Sequence, residues 1–235
     1  MVLTIMQPAY LPWLGFFHRI SLSDQFVVLD HVAIDKNSRT NFASRNRVRT
    51  KDGWTWLTVP LLTAGRHDER QLNRLEVAND SNWSHKHRTT LRAAYGKTPF
   101  WSDHEPFFEH LYSKSHSHLF PLVRETMEYL LAAFGVSVPI QYSSDLALQS
   151  QKGDLILEIC QKMNATTYVS GPFGRDYLNL AAFDQAGVKV AFHDYRHPVY
   201  PQAYAGFEPF MAAIDLLCNC GPASLAVLRE NQEAL

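Results

Sequence analysis

The segment from Val2 to Asp30 constrains the fold more than any other part of the chain. Val2-Leu3-Thr4-Ile5-Met6 is a short apolar run suited to a buried strand. Gln7-Pro8-Ala9-Tyr10-Leu11-Pro12 follows, and its two prolines without helical spacing make it a loop. Phe16, Phe17, Ile20 and Leu22 fall near helical spacing, and Ser23-Asp24 stops that helix. Gln25-Phe26-Val27-Val28-Leu29-Asp30 is a second apolar strand. A strand, a helix and another strand in this order form a βαβ unit, whose strands are expected to lie parallel.

The rest of the chain fits around that unit. Residues 31–53 are polar and basic, and Trp54–Pro60 has the β-branched and aromatic content of a strand. Residues 63–73 are polar enough for an exposed loop, and Arg74–Val77 for a short strand. Residues 81–134 carry apolar spacing at Trp83, His87, Leu91 and Ala94, and again from Leu119 to Phe134, with Gly135 as a C-terminal cap. This predicts a helical subdomain or insertion. Strands are expected near Pro139–Ser144, Thr166–Ser170 and Val188–Phe192, with helices over Asp154–Met163, Tyr177–Ala186 and Ala212–Asn219. The expected class is therefore α/β: a mainly parallel, Rossmann-like sheet in a single domain over 1–235, with 81–134 inserted.

Composition narrows the function. Twenty-two basic residues against twenty-three acidic ones argue against binding nucleic acid through bulk charge. At 46% hydrophobic and 19% charged residues the chain can bury a core, which excludes general disorder. No apolar run approaches the roughly 18–20 residues of a membrane span, and no basic leader precedes Pro8. Cys160, Cys218 and Cys220 cannot make a disulfide framework, and none has a histidine partner that marks a nucleophile. A reduced, cytoplasmic protein is expected. His116-x-His118 lacks metalloprotease spacing, so no metal is expected. No serine stands in a Gly-x-Ser-x-Gly elbow, so a hydrolase triad has no support.

In parallel sheets ligands sit beyond the carboxyl ends of the strands, which puts 7–13, 30–46, 143–144 and 170–177 on one rim. Gln7, Tyr10 and Trp13 there make either a stacking platform for a sugar or base, or a stiff loop whose aromatics seal the core. Lys36, Asn37, Arg45 and Asn46, from the basic run 36–51, are candidates to grip phosphate; the alternative is a solvated loop. His31, beside Asp30, and His87, one helical turn after Trp83, are candidate acid–base residues. Ser143, Ser170, Gly171, Arg175 and Tyr177 lie in loops rich in small donors suited to an anion.

Several of these segments also carry a signature. Met6-Gln7-Pro8-Ala9-Tyr10-Leu11-Pro12-Trp13-Leu14-Gly15-Phe16-Phe17 and Ser23–Asp30 closely resemble the WbqC-like family. So do Arg45–Arg49, Trp56–Pro60, Trp83 with His87, Tyr95, Tyr168–Gly171 and Tyr200-Pro201-Gln202, in order along nearly the whole chain. The resemblance implies a setting in bacterial O-antigen and other surface-polysaccharide gene clusters. With the basic rim it suggests a transferase, with acyl or aminoacyl transfer to the amine of a nucleotide-linked amino sugar as the specific version. The activated donor is an acyl or aminoacyl carrier, an aminoacyl-tRNA included. The opening unit also looks like that of nucleotidylyltransferases and pantothenate synthetase-type ligases, implying an ATP-dependent ligase as one alternative. Trp13 and Phe16 stand where that superfamily has its two signature histidines, which counts against ATP chemistry. A non-catalytic ligand-binding or scaffolding subunit of a glycan assembly complex is the other alternative.

Overall fold

The computed structural model describes residues 1–34, 42–62, 71–230 and 232. The opening unit folds as the sequence dictates: β1 (Val2–Met6), α1 (Leu14–Ser21) and β2 (Gln25–Val28). β3 (Arg45–Thr50) and β4 (Gly53–Thr58) make a hairpin, and α2 (Trp83–Tyr95), α3 (Trp101–Ser113) and α4 (Leu119–Ala133) follow. β5 (Ile140–Tyr142), α5 (Lys152–Lys162), β6 (Thr167–Ser170), α6 (Leu180–Gln185) and β7 (Lys189–Phe192) return the chain to the sheet, and α7 (Ile214–Cys220) and α8 (Ser224–Arg229) come after them.

Five strands form one all-parallel sheet in the order β5-β2-β1-β6-β7. This is a Rossmann-like α/β fold. Side chains alternate across it, as the two-residue period of a strand requires. Leu3, Ile5 and Val27 join α5 and α6 residues such as Ile156, Ile159 and Phe183 on one face. Met6, Phe26 and Val28 meet Phe16, Phe17 and Ile20 of α1 and Leu130 and Phe134 at the end of α4 on the other. With both faces covered, the strands have no room for polar alternation, which is why they read as continuous apolar runs.

Two local departures from the sequence reading have plain causes. The basic stretch 45–50 is a strand because Val48 is buried and the backbone pairs in register with β4 from Arg45↔Thr58 to Thr50↔Gly53, while Arg49, buried too, donates to the Thr50, Gly53 and Ala205 carbonyls. Expected strand 74–77 is instead a 3₁₀ turn at Leu72–Arg74 and single bridges, Leu61↔Val77 and Glu76↔His118. Most of the expected loop 63–73 lies outside the described residues. The cap at Gly135 is confirmed: at φ +69° its N–H reaches the Ala132 carbonyl, and Val136 N–H reaches Leu131. Among the described residues no helix is long and apolar enough to cross a membrane.

Candidate functional site

β1 is flanked by β2 on one side and β6 on the other, so the loops leaving β1 and β6 diverge over opposite faces. Such a reversal of strand order opens a crevice at the carboxyl edge. A cavity of about 660 Å³ fills it, with Met6 and Gln7 at the end of β1 and Gly171–Gly174 after β6. Phe16 and Arg19 of α1, Asn46 and Arg47 of β3, and His193, Tyr195 and His197 beyond β7 complete the walls.

The cleft is electropositive. Among the described residues two arginines line it and no aspartate or glutamate does. Arg19 donates from Nε to the Met6 sulfur at 3.0 Å, and among the described residues it makes no ion pair. Burial pulls its pKa below the usual guanidinium value. Gly171 makes room for it, since a Cβ there would lie 2.6 Å from Arg19 Nη1. Arg47 lies 4.9 Å from the Trp54 ring and 6.0 Å from Phe210, and its buried Nε has no hydrogen-bond partner. Burial lowers its pKa too, against a weaker opposing pull from Glu208.

The imidazoles of the cleft are neutral bases. His193 Nε2 lies 2.7 Å from His18 Nδ1, and the two rings stack at 5.0 Å. Burial, helped for His193 by His18 and Arg19 and for His18 by Arg229, lowers them to about 3 and about 4. His197 Nδ1 lies 2.8 Å from the Pro198 carbonyl oxygen, an acceptor only, so Nδ1 carries the proton and donates. Nε2 therefore holds the lone pair, and it is buried without a partner. Burial lowers the His197 pKa and nearby Arg47 adds to this, against the Pro198 bond. Among the described residues no group of three or more His, Cys, Asp or Glu stands close enough to hold a metal ion.

Of the residues singled out in the sequence, Gln7, Trp13, Asn46, Gly171 and Tyr177 line this cleft. Asn46 is committed to the frame: its amide donates to the Leu11 carbonyl at 2.6 Å and accepts from Arg47 N–H. Tyr10 turns the other way, into the core, where its hydroxyl meets His87 Nδ1 at 2.8 Å and the Tyr112 hydroxyl. His87 is buried with it, lowered to about 4 by desolvation, and borders a separate hollow beside Thr58 and Trp83. The aromatic residues of this loop thus divide, with Trp13 toward the cleft and Tyr10 toward the helices.

His31 stands at the edge of the sheet in a different network. Its Nδ1 lies 2.6 Å from Ser143 Oγ, which donates to Asp30 Oδ1 at 2.9 Å. Ser144 adds its N–H and hydroxyl to the same carboxylate. Asp30 and His31 are therefore linked through Ser143, across the carboxyl ends of β2 and β5, and not directly. Ser170 is buried, its hydroxyl donating to the Gly171 carbonyl. Arg175 is drawn outward into a bidentate pair with Asp194 at 2.9 and 2.6 Å, and Arg45 stacks over Trp56 at 4.6 Å. Neither lines the cavity. Lys36 and Asn37 lie outside the described residues.

Sequence reasoning missed Arg19, His193, Tyr195 and His197 as cleft residues, and reached Arg47 only as part of the basic run 36–51. Arg19 carried one signal: a basic residue one turn beyond Gly15 on a helix that opens at the sheet's carboxyl edge. Gly15 itself faces the cleft, where a Cβ would come within 3.0 Å of the Tyr195 ring.

A model of the WbqC-like protein family matches residues 7–227 of the chain. An uncharacterized protein of Mycobacterium tuberculosis (strain ATCC 25618 / H37Rv), Rv1507c, is 30% identical over 227 residues, covering 96% of each chain. No solved structure matches.

Proposed function

The chain belongs to the WbqC-like protein family, and on that footing we propose that it is a transferase of surface-glycan assembly acting on a nucleotide-linked amino sugar. The observation that carries this reading is the cleft at the switch point. It joins two arginines that make no ion pair among the described residues, aromatic walls, and an imidazole held in one tautomer. A nucleotide sugar has the matching parts: a flat base, a pyrophosphate, and a sugar bearing the reacting amine. Arg19 binds the pyrophosphate, since a guanidinium without a carboxylate partner gains its counter-ion only from the ligand. Trp13 and Tyr177 supply faces for the base. The group transferred is acyl or aminoacyl, and the acceptor is the sugar amine. The reading requires a cytoplasmic protein, because activated sugars and acyl donors are made there.

His197 is the proton acceptor of this reading. Its Nε2 is unprotonated near neutral pH and, among the described residues, has no hydrogen-bond partner to release before it takes a proton. His31 and His87 take other parts, the first bracing two strand ends and the second bracing Tyr10. Calorimetry with UDP and dTDP amino sugars tests the proposal. Wild-type protein binds at least one of them, and Arg19→Met weakens that binding without unfolding the chain. Absence of binding to any nucleotide sugar would sink it.

A further inference from the structure

One face of the β3–β4 hairpin carries a second set of rings and cations beside the cleft, which share only Arg47 with its lining. Trp54 and Trp56 are 40% and 37% exposed, although a buried indole would bring a large apolar gain. They stand edge to face at 5.6 Å, forming a corner. Arg45 lies over Trp56 at 4.6 Å, and Arg47 lies 4.9 Å from Trp54 and 5.9 Å from Trp56. Among the described residues neither arginine makes an ion pair. Arg45 and Arg47 are two apart on one strand, so they project from the same face about 7 Å apart. The rings run on inward, from Trp56 to Phe42 at 6.4 Å and from Phe42 to Trp13 at 5.1 Å. Trp13 and Phe42 both line the cleft.

We propose that this corner binds the adenosine bisphosphate end of a coenzyme A-type thioester, the acyl donor for the reaction in the adjoining cleft. The inference rests on the acyl-transfer reading and names its donor. A purine stacks on the exposed face of an indole whose other face carries a guanidinium, and two unpaired cations answer two separate phosphate groups. One corner suits one base. A nucleic-acid strand would ask for a ring for each of several bases, and the corner offers two indoles set edge to face. A second copy of the chain is disfavoured, because a two-fold contact here sets Arg45 and Arg47 against their own copies.

The aromatic run to Trp13 then leads the thioester arm from the corner into the cleft. There the sugar amine attacks the thioester carbonyl as His197 Nε2 takes its proton. The new C–N bond forms, the C–S bond breaks, and the departing thiolate recovers the proton from His197, leaving an amide and a free thiol. No oxidant or reductant is needed.

The test is calorimetry and tryptophan fluorescence with adenosine 3′,5′-bisphosphate, UDP, and a short RNA ending in CCA. The wild type is expected to bind the bisphosphate and UDP together, without competition. A Trp54→Ala/Trp56→Ala variant should lose roughly tenfold or more in bisphosphate affinity, while UDP affinity and the circular-dichroism melt hold. UDP binding without bisphosphate binding overturns the donor site and spares the cleft reading. Bisphosphate binding that UDP displaces, or that survives loss of both tryptophans, also overturns it. So does tryptophan-dependent binding of the RNA in place of the bisphosphate. Trp-dependent bisphosphate binding with no UDP binding supports the corner and fails the cleft reading alone.

Discussion

Replacing Arg19 by methionine separates a ligand-binding cation from a structural one. The guanidinium is half-buried and, among the described residues, has the Met6 sulfur as its hydrogen-bond partner and no carboxylate to offset the loss of water. Its charge therefore costs folding energy, which a bound anion offsets. A hydrogen bond to a charged group contributes about 1.5–3 kcal/mol, so one lost anion contact weakens UDP binding roughly 10- to 150-fold. Methionine fills similar space without the charge. The unliganded variant should be at least as stable as wild type, with each kcal/mol gained raising the melting temperature by about 2–4 °C. Calorimetry gives the first quantity, and a thermal melt without ligand gives the second. A variant that melts several degrees lower while keeping its UDP affinity would show that Arg19 is a strut, and the reasoning would fail.

Other perturbations follow from the same geometry. His87 titrates at about 4 when folded against about 6.5 unfolded, so its contribution is present above the unfolded value and is lost as pH falls toward 4. Between pH 7 and pH 5 that loss is about 2 kcal/mol; denaturant melts of His87→Gln, which keeps a polar partner for Tyr10, should show a correspondingly shallower fall. Asp215 is buried and raised to about 6 by desolvation, against hydrogen bonds from Tyr200 and Gln202. Its ionisation penalty is absent below the unfolded value of 3.8, grows as pH rises toward about 6 and is complete above it, so Asp215→Asn should raise the melting temperature at pH 7.5, keep about half of that advantage at pH 5 and lose it below pH 4. In Gly174→Ala the new Cβ would sit 2.0 Å from Ser170 Oγ, costing about 1–3 kcal/mol by overpacking and loosening the loop after β6; thermal melts and UDP titration read both effects. Ser143→Ala removes the link between Asp30 and His31 and should cost about 1–3 kcal/mol in denaturant unfolding with UDP binding preserved.

The sheet was legible in the sequence because its strands are covered on both faces and show as apolar runs between helices. The rim rule also brought Gln7, Trp13, Asn46, Gly171 and Tyr177 to the cavity lining. Beyond that, three kinds of information were missing. Tyr10 and Trp13 share one loop, and only the tertiary packing of α2 and α3 decides that Tyr10 turns to His87 and Tyr112. His18 and His193 are 175 residues apart, so no local pattern links them. The segment holding His193, Tyr195 and His197 has no regular secondary structure, hence no periodicity to show which side chains face inward. Arg19 escaped notice for a different reason: the helix was read from its apolar residues, and a cation next to that stripe looks like an ordinary solvated side chain.

The position of β1 at the centre of the sheet has a consequence for how the chain reaches this state. Thr4 Oγ1 donates to the Val169 carbonyl 165 residues further on, and β1 pairs with β6 from Val2↔Thr167 to Thr4↔Val169. Until residues near 170 are available, β1 can be completed along its β2 edge only. Its other edge is apolar, lacks its partner, and resembles the strand edges that recruit neighbouring chains. The cleft forms where that last pairing closes, so its assembly is tied to the slowest, most distant contact in the sheet. Conditions that delay the final third of the chain should therefore favour aggregation over a soluble protein with a partial cleft, and refolding yield should fall steeply with protein concentration.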